Sequence, residues 1–142
     1  MATGPSPHLS WSELGCKDGT PYPQRFIDDG RIAILAREFE RVRIQVGQPI
    51  VIGSAYRTPT YNKKIGGAPK SQHVEGRALD LYPPKGMTVE ALYSVVHAIA
   101  KDDASAICGL GKYPTFVHMD VRPSNRLTIW HGSRAWADEK DE

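Results

Sequence analysis

The sequence is poor in cysteine and has no long apolar run. Its 142 residues include two cysteines, Cys16 and Cys108. Two cysteines are too few for a disulfide-built domain and their spacing fits no metal-binding knuckle, so we expect two reduced thiols. No apolar stretch approaches the ~18 residues of a membrane-spanning helix. We therefore expect neither a disulfide scaffold nor insertion into a membrane.

The sequence also has no large excess of basic over acidic residues, or of acidic over basic ones. Lys and Arg number 18 against 16 Asp and Glu, and they are scattered along the chain. Nothing in this distribution predicts a nucleic-acid partner. The start of the chain, MATGPSPHLSW, lacks the basic and apolar regions of a signal peptide. We expect synthesis in the cytoplasm and, if the protein acts elsewhere, another route out of it.

The chain has the length and composition of one globular domain. Its apolar fraction of 40% and charged fraction of 24% are ordinary values for a folded protein. We expect a flexible arm over residues 1–8, one domain over residues 9–136 and an acidic tail over residues 137–142. The expected oligomeric state is a monomer.

Hydrophobic periodicity predicts helices that alternate with short strands. A long helix is predicted over about Gln24 to Val46, and another begins after Thr88. Strands are predicted at IVIGSAY and RALDLY, and ICGLGKY with TFVHMDVR predicts a hairpin. The connections are short. We therefore predict an α+β fold in which helices cover one face of a small, largely antiparallel sheet and a site lies on the other face.

Two of the predicted strands carry polar side chains on the face away from the helices. Side chains alternate along a strand, so Asp80 lies opposite the face of its leucine neighbours, and His118 shares a face with Asp120. His73 precedes Gly76, which permits a sharp reversal toward Asp80. Two histidines and a carboxylate, with a fourth position open, form a catalytic zinc site. A carboxylate is then needed as general base, and Asp120 and Glu75 are the candidates.

Other roles for these residues remain open at this point. Asp80 can pair with Arg77 or Arg122 instead of a metal. Arg57, after the first strand, can bind a substrate carboxylate or a developing oxyanion, or it can only bridge a surface acid. Spacing alone does not choose between a metal site and ordinary ion pairs.

The segment SQHVEGRALDL resembles the Ser-x-His-x-x-Gly-x-Ala-x-Asp signature of zinc D-Ala-D-Ala carboxypeptidase-like enzymes, which cleave bacterial cell-wall peptides. Hedgehog signalling domains share the fold of that group. The segments GSAYRTPTYNKKIGGAPKSQH and GLGKYPTFVHMDVRP resemble its neighbouring motifs. The opening LSWSELGCKDGTPYP resembles a small single-domain branch often found in phages and prophages. Together these segments cover roughly residues 9 to 123.

The resemblance implies one zinc ion bound by His73, Asp80 and His118. It also implies that Arg57 lies near the substrate and that Ser71 supports the site. Many members carry a catalytic acid three residues before the last histidine, where this chain has Thr115. The resemblance therefore assigns the general base to Asp120. The alternative, from relatives with a His-x-His motif, is that Asp120 binds zinc and His118 assists.

The function implied is zinc-dependent hydrolysis of a peptide bond in peptidoglycan, as a D,D-carboxypeptidase or an endopeptidase. Such an enzyme acts on the bacterial wall, in the endolysin case after release by a phage lysis system. The alternatives are a non-catalytic zinc-containing module that binds the wall and a structural component of a phage particle. The cleaved bond is left open.

Overall fold

The computed structural model describes residues 3–138. Its elements, in chain order, are α1 Trp11–Leu14, α2 Gln24–Asp28, α3 Arg31–Val46, β1 Val51–Ser54, α4 Pro59–Lys64, β2 Ala78–Tyr82, α5 Val89–Ala100, β3 Gly109–Lys112, β4 Val117–Asp120 and β5 Thr128–His131. The predicted α+β class is confirmed.

The strands form one sheet in the order β1-β2-β4-β3-β5. Neighbouring strands are antiparallel except β3 and β5, which are parallel. In the centre of the sheet, Leu79 pairs with Met119 and Asp80 pairs with His118. Because side chains alternate, the apolar pair faces one side and the polar pair faces the other.

Helices α3 and α5 pack together and cover the apolar face of the sheet. The core between them is fully or almost fully buried; it includes Leu35, Phe39, Val42, Leu79, Leu81, Leu92, Val96, Val117 and Met119. Burying one such side chain contributes roughly 1.5–3 kcal/mol. This layer leaves the opposite face free, as predicted.

Most helix boundaries follow the capping residues in the sequence. Ser10 and Glu13 form a capping box at α1. The hydroxyls of Thr58 and Thr88 accept from the backbone N–H groups of Tyr61 and Ala91 at the starts of α4 and α5. Of these three helix starts, the one after Thr88 was predicted above and is confirmed.

The structure differs from the predicted secondary structure in two places. The helix predicted over about Gln24 to Val46 is broken between α2 and α3, because Gly30 adopts a left-handed conformation with φ of 85°. Strand β5 was not predicted at all. It lies at the sheet edge and is mostly exposed, so it lacks the apolar alternation that marks a half-buried strand.

The ends of the domain are held by contacts where the structure describes them. Both the backbone N–H and the ring Nδ1 of His8 lie within hydrogen-bond distance of the Glu40 carboxylate. Ala137 is buried, and the Asp138 side chain is 10% exposed. The predicted arm and tail thus include contacting residues, while residues 1–2 and 139–142 lie outside the described range. Within residues 3–138, no helix has the length and apolar character needed to cross a bilayer.

Candidate metal centre

Three predicted ligands meet on the polar face of the sheet. One donor atom each from His73, Asp80 and His118 lies within 4.8 Å of the others, and all three residues are buried. The Asp80 carboxylate is central, with Oδ2 3.1 Å from His73 Nε2 and Oδ1 2.9 Å from His118 Nδ1. Among residues 3–138, no other cluster of three or more His, Cys, Asp or Glu side chains brings its ligand atoms this close together.

Sheet register and one tight reversal produce this convergence. Asp80 and His118 are directly paired on β2 and β4. His73 returns toward them through a loop in which the Gly76 N–H donates to the His73 carbonyl at 3.1 Å. Gly76 has φ of 68°, and a Cβ there would lie 2.5 Å from Phe26 Cδ2. Both constraints require glycine at this position, which confirms the predicted reversal.

The ring of His73 is arranged to offer a lone pair to a metal. Its Nδ1 donates to the Ala55 carbonyl at 2.7 Å, which places the neutral lone pair on Nε2. Burial lowers the pKa of His73 and keeps the ring neutral. His73 Nε2 is buried and has no hydrogen-bond partner among residues 3–138, although it lies beside Asp80. A buried, unpaired imidazole nitrogen next to a carboxylate fits a bound cation.

His118 is oriented by carboxylates on both of its nitrogens. Its Nε2 lies 2.7 Å from Asp120 Oδ2, while Nδ1 faces Asp80. Burial alone would lower the pKa of His118, but hydrogen bonds to Asp120 and Asp80 outweigh it and raise the pKa to about 9. Positive charge between these carboxylates is therefore favourable, and a divalent ion would supply it. The donor set of two imidazoles and one carboxylate matches catalytic zinc.

Asp120 is bound to its neighbours rather than directed into open space. It is fully buried; its oxygens accept from the Arg122 backbone N–H at 3.1 Å, from Arg122 Nε at 2.8 Å and from Arg122 Nη2 at 2.7 Å. Gly109 on β3 makes room for it, since a Cβ there would lie 2.0 Å from Asp120 Oδ2. This geometry favours a role in orienting His118 over the predicted role as general base.

Arg57 lies at the site, but its guanidinium is already engaged. It is 4% exposed, and its donors bond Ser54 Oγ at 3.1 Å and Asn62 Oδ1 at 3.2 Å. Nη2 bonds the Ala137 carbonyl at 3.1 Å, and the Asp138 carboxylate pairs with the same group at 3.1 Å. Arg57 Nη2 also lies 3.5 Å from Asp80 Oδ2. The arginine therefore supports Asp80 in this conformation, and residues 137–138 occupy part of the donor capacity that the predicted contact with substrate would use.

The remaining predicted residues have supporting or peripheral places. Ser71 Oγ accepts from the His73 backbone N–H at 3.2 Å and so fixes the reversal. The Thr115 hydroxyl donates to the Ala135 carbonyl. The side chain of Glu75 is 52% exposed, and its nearest cationic partner is Arg77, at 3.8 Å. Neither Thr115 nor Glu75 lines the cleft over the ligands.

A cleft of about 640 Å³ opens over the three ligands. Within the described range, Asp80 is the only carboxylate in its lining, whereas four lining residues are cationic: Arg57, Lys70, Arg122 and Arg134. The charge of Arg122 is paired with Asp120. Tyr113 and Trp130 also line the cleft. The sequence analysis did not single out Tyr113 or Trp130. Tyr113 lay within the resembling segment GLGKYP, whereas Trp130 belongs to the strand that was not predicted.

Comparison with known proteins agrees with this geometry. No curated protein matches the chain. The sequence model of the family described as Peptidase M15 matches residues 7–120, which include His73, Asp80, His118 and Asp120. The matched region covers the sheet strands β1 to β4 and every predicted ligand. The chain therefore belongs to the Peptidase M15 family, the zinc D-Ala-D-Ala carboxypeptidase-like metallopeptidases.

Proposed function

We propose that the protein hydrolyses a peptide bond in bacterial peptidoglycan, in stem peptides or cross-links, as a D,D-carboxypeptidase or an endopeptidase. The observation that carries the proposal is the donor set of His73, Asp80 and His118, in which one donor atom of each residue lies within 4.8 Å of the others in the wall of a cleft. A family of metallopeptidases supplies the reaction class. The cationic residues that line the cleft indicate the class of substrate.

When bound to these three residues, a zinc ion would polarise the substrate carbonyl and increase the acidity of water. The protein's part is to hold the ligands in place before substrate arrives. Ala55 fixes the ring of His73, Asp120 fixes the ring of His118, and Arg57 supports Asp80. In the reaction, the oxygen of water bonds to the carbonyl carbon, the C–N bond breaks and the amine nitrogen gains a proton.

Positive charge around the cleft suits an anionic peptide. Lys70, Arg122 and Arg134 line it, and Asp80 is the only acid in its lining among residues 3–138. Stem peptides of peptidoglycan carry free carboxylates, which cationic side chains attract. The site of action that follows is the bacterial wall. The resemblance to a small phage and prophage branch extends the proposal to an endolysin released by a phage lysis system.

Digestion of purified peptidoglycan tests the function directly. Protein is incubated with the polymer alone, with a chelator, and with zinc restored after chelation, and the fragments are read by mass spectrometry. We expect fragments that disappear with chelator and return with zinc, and their masses identify the cleaved bond. His73→Ala should be inactive, whereas His97→Ala, on α5 and outside the cleft, should match the wild type.

The result that contradicts the proposal is equally clear. A protein that binds one zinc ion per chain but releases no fragment from any muropeptide is not a peptidoglycan hydrolase. That outcome favours the non-catalytic wall-binding module. Among residues 3–138, the cleft lining has no carboxylate besides Asp80 that could act as a general base, which is compatible with such a module. Recovery of the protein from purified virions, rather than from lysates, would instead indicate a structural component of a phage particle.

A further inference from the structure

A tyrosine and a tryptophan form a hydrogen-bonded pair in the cleft wall. Trp130 Nε1 donates to the Tyr113 hydroxyl at 2.9 Å, and both residues line the cleft. Tyr113 follows β3 and Trp130 lies on β5, so the pair depends on the parallel pairing of these two strands. Neither residue has a role in the site as described so far.

The surrounding residues hold the tyrosine ring in one position. The ring stacks on Phe116 with centroids 4.3 Å apart and planes 10° from parallel. A Cβ on Gly132 would lie 2.0 Å from Tyr113 Cε2, and a Cβ on Gly111 would lie 2.6 Å from Trp130 Nε1. Glycine at both positions therefore leaves the space that the two rings occupy. A ring confined in this way presents its hydroxyl with little conformational freedom to lose.

The Tyr113 hydroxyl is available to donate a hydrogen bond to a ligand in the cleft. The bond from Trp130 uses an oxygen lone pair of Tyr113, so the O–H group is still free to donate. Burial raises the pKa of Tyr113, which keeps the phenol protonated at neutral pH. The pair is also close to the metal ligands, since the rings of Trp130 and His118 have centroids 5.0 Å apart.

Arg57 is the other candidate for a donor to the reacting carbonyl. Its guanidinium donors are engaged with Ser54, Asn62 and Ala137 and with the Asp138 carboxylate. A preorganised donor contributes most when it needs no rearrangement as charge develops. The Tyr113 O–H meets that condition in this conformation, whereas most N–H groups of Arg57 are already bonded to other residues.

We propose that Tyr113 is a catalytic hydrogen-bond donor that stabilises the negative charge developing on the carbonyl oxygen of the cleaved bond, and that Trp130 positions it. This inference rests on the proposed peptidase function. The tyrosine donates a hydrogen bond and transfers no proton. Water still adds to the carbonyl carbon and the amine still leaves as in the proposed reaction.

The test compares Tyr113→Phe with the wild type in turnover and in binding. The substitution removes only the hydroxyl and preserves the stacked ring. Loss of one such donor costs about 10²–10³-fold in kcat, with a smaller change in KM, and we expect this result with zinc content unchanged. Trp130→Phe, which frees the hydroxyl to rotate, should lose less. Tyr93→Phe, on α5 and outside the cleft lining, is the matched control and should behave as the wild type.

Binding provides a second reading that does not depend on turnover. The probes are phosphinate isosteres of three bonds, D-Ala-D-Ala, the D-Ala cross-link and L-Ala-D-Glu, because tetrahedral phosphorus imitates the reacting carbon. Calorimetry on zinc-loaded protein should show that Tyr113→Phe weakens the tightest phosphinate by about the same factor as kcat, and weakens the matching planar peptide much less.

These outcomes separate the two proposals. If the wild type cleaves nothing but Tyr113→Phe selectively weakens phosphinate binding, the peptidase function fails and the catalytic role of Tyr113 fails with it, because Tyr113 is then only a donor to a bound anion. If Tyr113→Phe keeps kcat and phosphinate affinity within threefold of the wild type, the assignment of Tyr113 is overturned. Equal weakening of phosphinate and planar peptide also overturns it, because a donor to the developing charge must distinguish them. A wild type that binds no phosphinate and releases no fragment from peptidoglycan overturns both.

Discussion

Replacing Asp120 by Asn separates two roles for a buried carboxylate. Asp120 accepts from His118 Nε2 at 2.7 Å and makes three bonds to Arg122. Asn keeps the shape of the side chain but removes its charge, and its amide group has one acceptor oxygen instead of two. The ring of His118 then loses the partner that fixes which nitrogen faces Asp80.

The expected magnitude follows from these contacts. Removing a partner that orients a metal-bound histidine costs about 10–100-fold in metal affinity, or ~1.4–2.7 kcal/mol. Breaking a buried charge pair can cost ~3–5 kcal/mol of folding stability. The cost here should be smaller, because the side chain of Arg122 is 28% exposed and remains hydrated. We therefore expect a folded variant with weakened zinc binding.

Competition for zinc against a fluorescent chelator measures the affinity, and turnover is then measured with zinc in saturating excess. For Asp120→Asn we expect a zinc Kd raised by about 10–100-fold and turnover within about tenfold of the wild type once the site is filled. Asp103→Asn, at an exposed position, controls for the change in net charge. The reasoning is refuted if zinc affinity is unchanged while turnover at full occupancy falls about 10³-fold, which is the result for a general base.

Three further predictions concern zinc binding and the ion pairs that Asp138 makes with Lys17 and Arg57. Gly109→Ala should weaken zinc binding in the same competition assay, because the added Cβ would lie 2.0 Å from Asp120 Oδ2 and displace that carboxylate. An unchanged zinc affinity would contradict the role of Asp120 in orienting His118. Removing zinc with a chelator should lower the unfolding temperature, because a ligand bound only by the folded state stabilises it; an identical temperature with and without zinc would argue against a bound ion. Burial would raise the pKa of Asp138, but the hydrogen bond from Lys17 and the charge of Arg57 outweigh it and lower the pKa below its ordinary value of 3.8. The folding stability that the Asp138 carboxylate adds is therefore complete above pH 3.8, and it is lost as the pH falls through the lower pKa that Asp138 has in the folded protein. The melting temperatures of the wild type and Asp138→Asn should differ at neutral pH and converge in acid.

Local signals in the sequence carried most of the secondary structure. The capping residue Thr88 gave the start of α5, and apolar spacing predicted the helices that became α3 and α5. Two-residue alternation on β2 and β4 correctly placed Asp80 and His118 on the polar face of the sheet. These features depend on residues within one or two turns of each other, so they can be read from the chain itself.

Tertiary structure alone decided what surrounds the ligands. The engagement of Arg57 by residues 137–138 and the pairing of Tyr113 with Trp130 join groups far apart in the chain, whose contacts no spacing rule predicts. Strand β5, which carries Trp130, is held by its parallel pairing with β3 rather than by an apolar pattern of its own. The sequence by itself determined which residues could bind zinc, because alternation and a glycine reversal are local. Tertiary packing determined how Arg57 is engaged and which hydroxyl is left free to donate, because both depend on neighbours distant in the chain.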